Sequence, residues 1–380
     1  MNIMKKKILF ITGTRADYGK LKSLMKKLDG SPAFSVYVFV CGMHLSETFG
    51  NTYREVEKDG YEHIYVAYGL AQTHDYSVNL GNTIIHLAGY TEKISPDIII
   101  VHGDRMDALA GAIVGALLNI PVGHIEGGEL SGTLDESIRH AISKFAHVHF
   151  VCNDEARRRL QQMGEEDKRI YVIGSPDIDI MMSKTLPSID DARKRYDIDF
   201  KDYAIMMYHP VTTEYESTGK KIHTVVDAVI ASSLNYIVVY PNNDLGSEII
   251  LNEYNRLRNN PCFKVFPSLR FEHFLTLLKN ASFIIGNSSA GIRESGVYGI
   301  PTIDIGSRQN GRYDVAAVRN IRHVDEDYEQ ILNAISNVSE LRFSYNAFGQ
   351  GDSTEKFMEI INKDDFWTID MQKHFVDRRI

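Results

Sequence analysis

The strongest constraint on this chain is a unit that keeps returning. A short run of β-branched and aromatic residues gives way to a polar or glycine turn, then to a helical stretch. "KKILFITG" is followed by "TRADYGKLKSLMKKL", whose apolar residues fall at helical spacing. "SVYVFVCG", "DIIIVHGD", "IPVGHIEGG", "HVHFVCND" and "RIYVIGSP" follow, with helices such as "MDALAGAIVGALLN" and "DEARRRLQQMG" between them. Strands alternating with helices imply a parallel sheet covered on both faces. Residues 183–202, "SKTLPSIDDARKRYDIDFKD", are charged and lack a long apolar face, so a linker is expected there. The pattern then restarts with "YAIMMYHP", "NYIVVYPNN", "CFKVFPS", "ASFIIGNSS" and "IPTIDIGSR". A length of 380 residues also favours two cores over one. The expectation is an α/β chain of two Rossmann-like, doubly wound domains, 1–182 and 203–365, facing across a cleft. The tail 366–380, "FWTIDMQKHFVDRRI", is amphipathic and is expected to form a helix that caps the second domain or crosses back to the first.

Composition excludes several classes of function. The net charge of −8 gives no electrostatic case for nucleic-acid binding, though a local cluster of arginines can still hold a phosphate. Cys41, Cys152 and Cys262 are far apart, show no CxxC spacing and read as small buried hydrophobes in a reducing compartment. The apolar run near the start is too short for a signal peptide. The longest one, "ALAGAIVGALLNI", is broken by Asn119 and Pro121 and falls short of a membrane span. A cytoplasmic protein without a membrane partner is expected. No Walker loop or glycine-rich dinucleotide fingerprint is present, so neither ATP nor NAD is expected, and no metal site is.

In open parallel sheets, ligands bind at the carboxyl ends of the strands. Unusual polar residues stand at those ends: Arg15 and Asp17 in "GTRAD", His102, Asp104 and Arg105 in "HGDR", and His124, Glu126 and Glu129 in "HIEGGE". The second half carries His209 in "YHPVTTE", Asn242 in "YPNND", "GNSSAGIRE", and Arg308 in "GSRQNGR". In "GNSSAGIRE", Gly286 permits a tight turn, and Ser288 and Ser289 are expected to open a helix whose free N–H groups favour a phosphate. Simple serine capping is the alternative. Glu294 is placed to accept hydrogen bonds from a ribose diol, or else faces solvent. Arg308 is placed to fork onto a diphosphate, or else forms a surface ion pair. In "HIEGGELSGTLDESIRH", Asp135 and Arg139 are four apart, as are Glu136 and His140, so each pair shares a helix face. Arg139 could hold Asp135 ionised, and glycines 127, 128 and 132 are expected to let backbone approach a substrate.

Taken in order, "TGTRADYGKLK", "HGDR", "HIEGGELSGTLDESIRH", "HPVTTE", "YPNND", "GNSSAGIRE" and "GSRQNGR" resemble the hydrolysing UDP-N-acetylglucosamine 2-epimerases of bacterial sialic acid synthesis. The resemblance covers nearly the whole chain. It implies the glycosyltransferase-B-like architecture of two Rossmann-like domains, the products N-acetylmannosamine and UDP, no cofactor, and a homodimer or homotetramer. It also implies that Asp104, Glu126 and Asp135 are catalytic carboxylates and that His209 is an acid or base near the diphosphate. By the same match, Arg15, Asp17, Arg105, Arg139, Asn242, Leu269, Ser288, Ser289, Glu294 and Arg308 fall at substrate- or UDP-binding positions. His44, His102 and His124 match too, either as ligand contacts or as residues that orient a neighbouring acid. A sister group acts on a UDP-linked 2,4-diacetamido sugar and shares "GTRADY", "EGGE" and "YPNNDLG"-type segments. "GNSSAGIRESGVYGIPTIDIG" leans toward the sialic acid group, while "YPNNDLGSE" and "GSRQNGR" fit both.

Overall fold

The computed structural model of the chain describes residues 5–68, 75–132, 134–313, 318–345 and 347–377. Contacts divide the chain into two compact units. The first comprises Met1–Glu129, Asp135–Met182 and Ala347–Ile380, and the second Leu130–Leu134 and Ser183–Asn346.

The first unit holds seven strands, β1 (Lys6–Thr12), β2 (Phe34–Val40), β3 (His63–Val66), β4 (Ile98–His102), β5 (Val122–Ile125), β6 (Val148–Val151) and β7 (Ile170–Val172). They form one sheet in the order β3-β2-β1-β4-β5-β6-β7, every pair parallel. The second unit holds β8 (Ala204–Met207), β9 (Tyr236–Val239), β10 (Phe263–Phe266), β11 (Ile284–Gly286), β12 (Thr302–Ile305) and β13 (Ile321–Val324). Their order is β10-β9-β8-β11-β12-β13, again all parallel. Both orders reverse direction once, between β1 and β4 and between β8 and β11. That reversal opens a crevice at the carboxyl ends of doubly wound sheets.

Side-chain alternation explains why both faces are covered. Ile8 and Phe10 of β1, with Ile98 and Ile100 of β4, join one apolar cluster; Leu9, Ile11, Ile99 and Val101 join another. Two strands were absent from the sequence reading, β3 and β13. Both lie at sheet edges; the residues of β3 are only partly buried, and β13 is interrupted by half-buried Arg322 and exposed His323, so neither makes a continuous apolar run.

The stretch 183–202 is not a bare linker. It contains a helix, Ile189–Tyr196, capped by Ser188, whose hydroxyl accepts from Asp191 N at 3.1 Å. Only Ala192 of that helix is buried, which hid it from an apolar-periodicity reading. The chain leaves the second unit at Asn346, ahead of the expected 365. The last helix is Ser353–Ile361; a short 3-10 turn, Asp364–Trp367, follows, and residues 368–377 are not helical, contrary to the helix expected over 366–380. The tail groups with the first unit, one of the two expected placements: Phe366, with Phe357 and Ile361 of the helix before it, joins the core that contains Phe10, Leu21 and Phe150. Among the described residues, no helix is long and apolar enough to cross a membrane.

Candidate active site

In the first unit, the polar residues collect at the ends of β4 and β5. Glu126 follows β5 directly, is 4% exposed, and takes a left-handed backbone conformation with φ of 64°. A non-glycine residue there is strained, and such strain gathers at functional sites. Ser175 Oγ donates to Glu126 Oε1 at 2.7 Å, and His102 Nε2 lies 3.3 Å from the same oxygen. Arg139, itself 2% exposed, donates through one amino group to the Glu126 carbonyl at 2.6 Å and through the other to the Asp104 carboxylate. Arg139 therefore joins two of the candidate catalytic acids, a tie that the Asp135–Arg139 spacing did not suggest. Asp135 lies in the first turn of the helix Leu134–Phe145 that carries Arg139, and Glu136 and His140 of that helix pair at 3.0 Å.

The histidines divide. His102 approaches Glu126, as above. His124 is fully buried, with Nε2 at 2.8 Å from Gly103 O and Nδ1 at 3.1 Å from Ser143 Oγ. Burial lowers its pKa to about 3, against the opposing pull of the Gly103 bond. His44 is likewise enclosed, between Thr12 Oγ1 (3.0 Å) and Thr52 Oγ1 (2.6 Å), and burial lowers its pKa to about 4. Both rings are neutral clasps between backbone elements. His44 orients Thr12, which donates to Asp17 at 2.8 Å. Asp17 itself closes the loop after β1, accepting from Gly13 N and Thr14 N, both at 3.0 Å, and completing a capping box with Thr14. Arg15 pairs with Glu55 at 2.7 Å, and Arg105 stands at the N-cap position of the helix Met106–Leu117 without a side-chain capping bond. The glycines of the acidic loop serve protein packing: a Cβ at Gly127 would press on His124, at Gly128 it would overlap Ala156 O, and at Gly132, which groups with the second unit, it would overlap Arg308 O.

In the second unit a compact knot ties the ends of β8, β11 and β12. His209 N donates to Asn287 Oδ1 at 2.6 Å, and Asn287 Nδ2 donates back to His209 O at 2.8 Å. Arg308 at 3.2 Å and Gln309 at 2.7 Å both donate to Asn287 O. Asn242 contributes its backbone, donating to His209 Nδ1 at 2.9 Å. That bond makes Nδ1 an acceptor, so the neutral ring carries its proton on Nε2. Gly286 sits at φ 130°, where a Cβ would overlap Met207 O, so this crossing of β8 and β11 requires glycine. The helix expected to open at Ser288 and Ser289 is a three-residue 3-10 turn, Ser289–Gly291, with Ser288 as its cap, accepting from Ala290 N at 3.3 Å. Ser288 thus caps a single turn, over which little helix dipole develops. Glu294 opens a separate five-residue helix and is 3% exposed, so it is not a solvent-facing acid. Arg308, at 7% exposed, is not a surface residue, and Leu269 is buried in the loop after β10.

Sequence reasoning passed over Ser175, Asn287 and Asp107. Asn287 stood inside a quoted motif, but the serines beside it drew the reading. Asp107 accepts from Cys41 Sγ at 3.3 Å and packs against Gly13 and Gly42, and burial holds its pKa above the ordinary carboxylate value. Among the described residues, no group of three or more His, Cys, Asp or Glu could hold a metal ion.

The family model described as UDP-N-acetylglucosamine 2-epimerase matches residues 26–362. A UDP-N-acetylglucosamine 2-epimerase of Neisseria meningitidis serogroup B is 46% identical over 98% of this chain and 99% of its own. A hydrolysing UDP-N,N'-diacetylbacillosamine 2-epimerase of Legionella pneumophila is 34% identical over 94% and 96%. The solved structure of the Methanocaldococcus jannaschii UDP-GlcNAc 2-epimerase, in complex with UDP-GlcNAc and UDP, matches with a TM-score of 0.80 at 21% identity, covering 93% of this chain and 99% of that one. With the matched model spanning most of the sequence and two relatives above 30% identity along nearly its full length, the chain belongs to the UDP-N-acetylglucosamine 2-epimerase family.

Proposed function

We propose that this member is hydrolysing: it converts UDP-GlcNAc and water to N-acetylmannosamine and UDP. The observation that supports the proposal is the gathering of two acids at the ends of β4 and β5: one buried arginine binds the Asp104 carboxylate and the Glu126 backbone carbonyl, while the Glu126 carboxylate faces Ser175 and His102. The 46% identity to the Neisseria relative favours GlcNAc as the sugar over the 2,4-diacetamido sugar of the 34% relative.

The C2 proton of the sugar has no adjacent carbonyl and is weakly acidic. A path that avoids a free carbanion is elimination. One carboxylate takes the C2 proton as the C1–O bond breaks, releasing UDP and leaving a 2-acetamidoglycal. Water then adds its hydroxyl at C1, and a proton returns to C2 from the opposite face. Removal and return on different faces call for two acid–base groups. Glu126, Asp104 and Asp135 supply that set in the first unit. In the second, the His209 Nε2–H and the Arg308 guanidinium supply donors for the departing diphosphate. Arg308 is already fixed through Asn287, so its orientation costs little when UDP binds. Arg15, Asn242, Leu269, Ser288, Ser289 and Glu294 complete the nucleotide contacts in this reading. A cytoplasmic homodimer or homotetramer, with no metal or redox cofactor, goes with it.

Proton NMR of the protein with UDP-GlcNAc in D2O tests the proposal. The expected products are free UDP and N-acetylmannosamine deuterated at C2. UDP-linked N-acetylmannosamine would instead make the enzyme non-hydrolysing. An unchanged spectrum would remove GlcNAc and send the same experiment to the 2,4-diacetamido sugar nucleotide. Asp104→Asn, Glu126→Gln and Asp135→Asn should each lower turnover by at least about 100-fold, the low end for general acid–base groups. Near-normal turnover in any one removes that residue from the mechanism.

A further inference from the structure

We infer that Ser175 is a positioning residue, whose hydroxyl sets the orientation and ionised state of Glu126. The inference rests on the reading of Glu126 as a catalytic carboxylate. Ser175 occupies the N-cap position of the helix Pro176–Met181. A serine there ordinarily turns its hydroxyl back to accept from its own helix. Ser175 makes no such side-chain cap bond. Its hydroxyl instead donates at 2.7 Å to Glu126 Oε1, on a residue 49 positions away, and the serine is fully buried. A helix start has given up one of its own bonds to serve a carboxylate at the end of β5.

The serine is held from behind. Its backbone N donates to Phe348 O at 2.7 Å. Two residues into the helix, Asp177 is buried against Lys20 at 3.2 Å. Two further on, Asp179 accepts from Ser353 N at 2.9 Å and from Thr354 N and Oγ1, both at 2.6 Å. The segment that returns from the second unit thus pins the turn that presents Ser175 and fixes where its side chain starts. His102 Nε2 approaches the same Glu126 oxygen at 3.3 Å, so two side chains converge on it. A fixed donor on one carboxylate oxygen stops the group rotating and favours its charged form.

The test compares kcat, KM and the pH profile of kcat for the wild type, Ser175→Ala and Ser175→Thr, with Glu126→Gln as control, following UDP release. Ser175→Ala should lower kcat about 10-fold with KM within about twofold. It should also move the acid limb of the profile up by about one pH unit, the size of one hydrogen bond to a charged group. Ser175→Thr, which keeps the hydroxyl, should restore most of both. A fall in kcat with the limb unmoved is mere loss of packing and overturns the inference, as does a wild-type profile. Should Ser175→Ala fail to fold, Ser175→Cys keeps the side-chain shape at slightly larger size with a weaker donor and answers by the same shift. Near-normal turnover in Glu126→Gln removes the premise instead, whatever Ser175 does.

Discussion

A left-handed turn ordinarily falls on glycine, which adopts it without strain. The chain instead puts its carboxylate on a left-handed residue and its glycines, 127 and 128, just after. A left-handed side-chain-bearing residue costs roughly 1–2 kcal/mol. Glu126→Gly should therefore be more stable than Glu126→Ala by about 1 kcal/mol in urea unfolding, although both lose the acid. Equal stability would mean that the backbone relaxes there without strain. The crowding of carboxylates at this strand end was legible in the sequence. The strain was not, since nothing in "HIEGGE" tells which residue takes the left-handed turn. Nor was the partnership of Arg139 with Asp104, whose residues are 35 apart and meet only because β4 and β5 are neighbours.

The helix Leu134–Phe145 carries two of the proposed site residues, Asp135 in its first turn and Arg139 at its middle. Its other end is closed from far away. Lys373 Nζ donates to Ser143 O (3.1 Å), Lys144 O (3.0 Å) and Ala146 O (2.5 Å), and pairs with Glu165 at 2.7 Å. A cation there satisfies carbonyls that the helix cannot and complements its dipole. Lys373→Met keeps the aliphatic stem and removes the charge. It should cost about 1–2 kcal/mol and speed amide exchange in the last turn of this helix. Unchanged exchange would reduce the lysine to a surface contact. The helix was readable from "LDESIRH", as were most of the strands and the alternation that makes both sheets parallel. Its cap was not readable, because the tail looked like an amphipathic helix of its own. Edge strands β3 and β13 escaped for the opposite reason, since a half-covered strand has no need of the apolar run that marks a central one.

At the scale of the whole molecule, the buried histidines couple folding to pH. His44 and His124 keep pKa values of about 4 and about 3 when folded, both below the value of 6.5 expected for an unfolded chain. Between pH 6.5 and 4 they are neutral in the fold and protonated when it opens, so unfolding takes up protons and stability falls with pH. His124→Asn should remove about one proton from that uptake, flattening the slope of unfolding free energy by about 1.4 kcal/mol per pH unit between pH 6 and 4.5. An unchanged slope would show that His124 is already charged or already exposed. The two-sheet architecture was plain from the pattern of runs, whereas the division of the chain between units was not, because an apolar segment does not say which core it will join. That division bears on how the protein is made. The second unit is almost one continuous stretch, Ser183–Asn346, and can condense as soon as it leaves the ribosome. The first waits for Phe357, Ile361 and Phe366 to fill its core. Synthesis order and folding order are therefore reversed: the half translated first is the half completed last, and its unfinished apolar face is what a nascent-chain chaperone would meet.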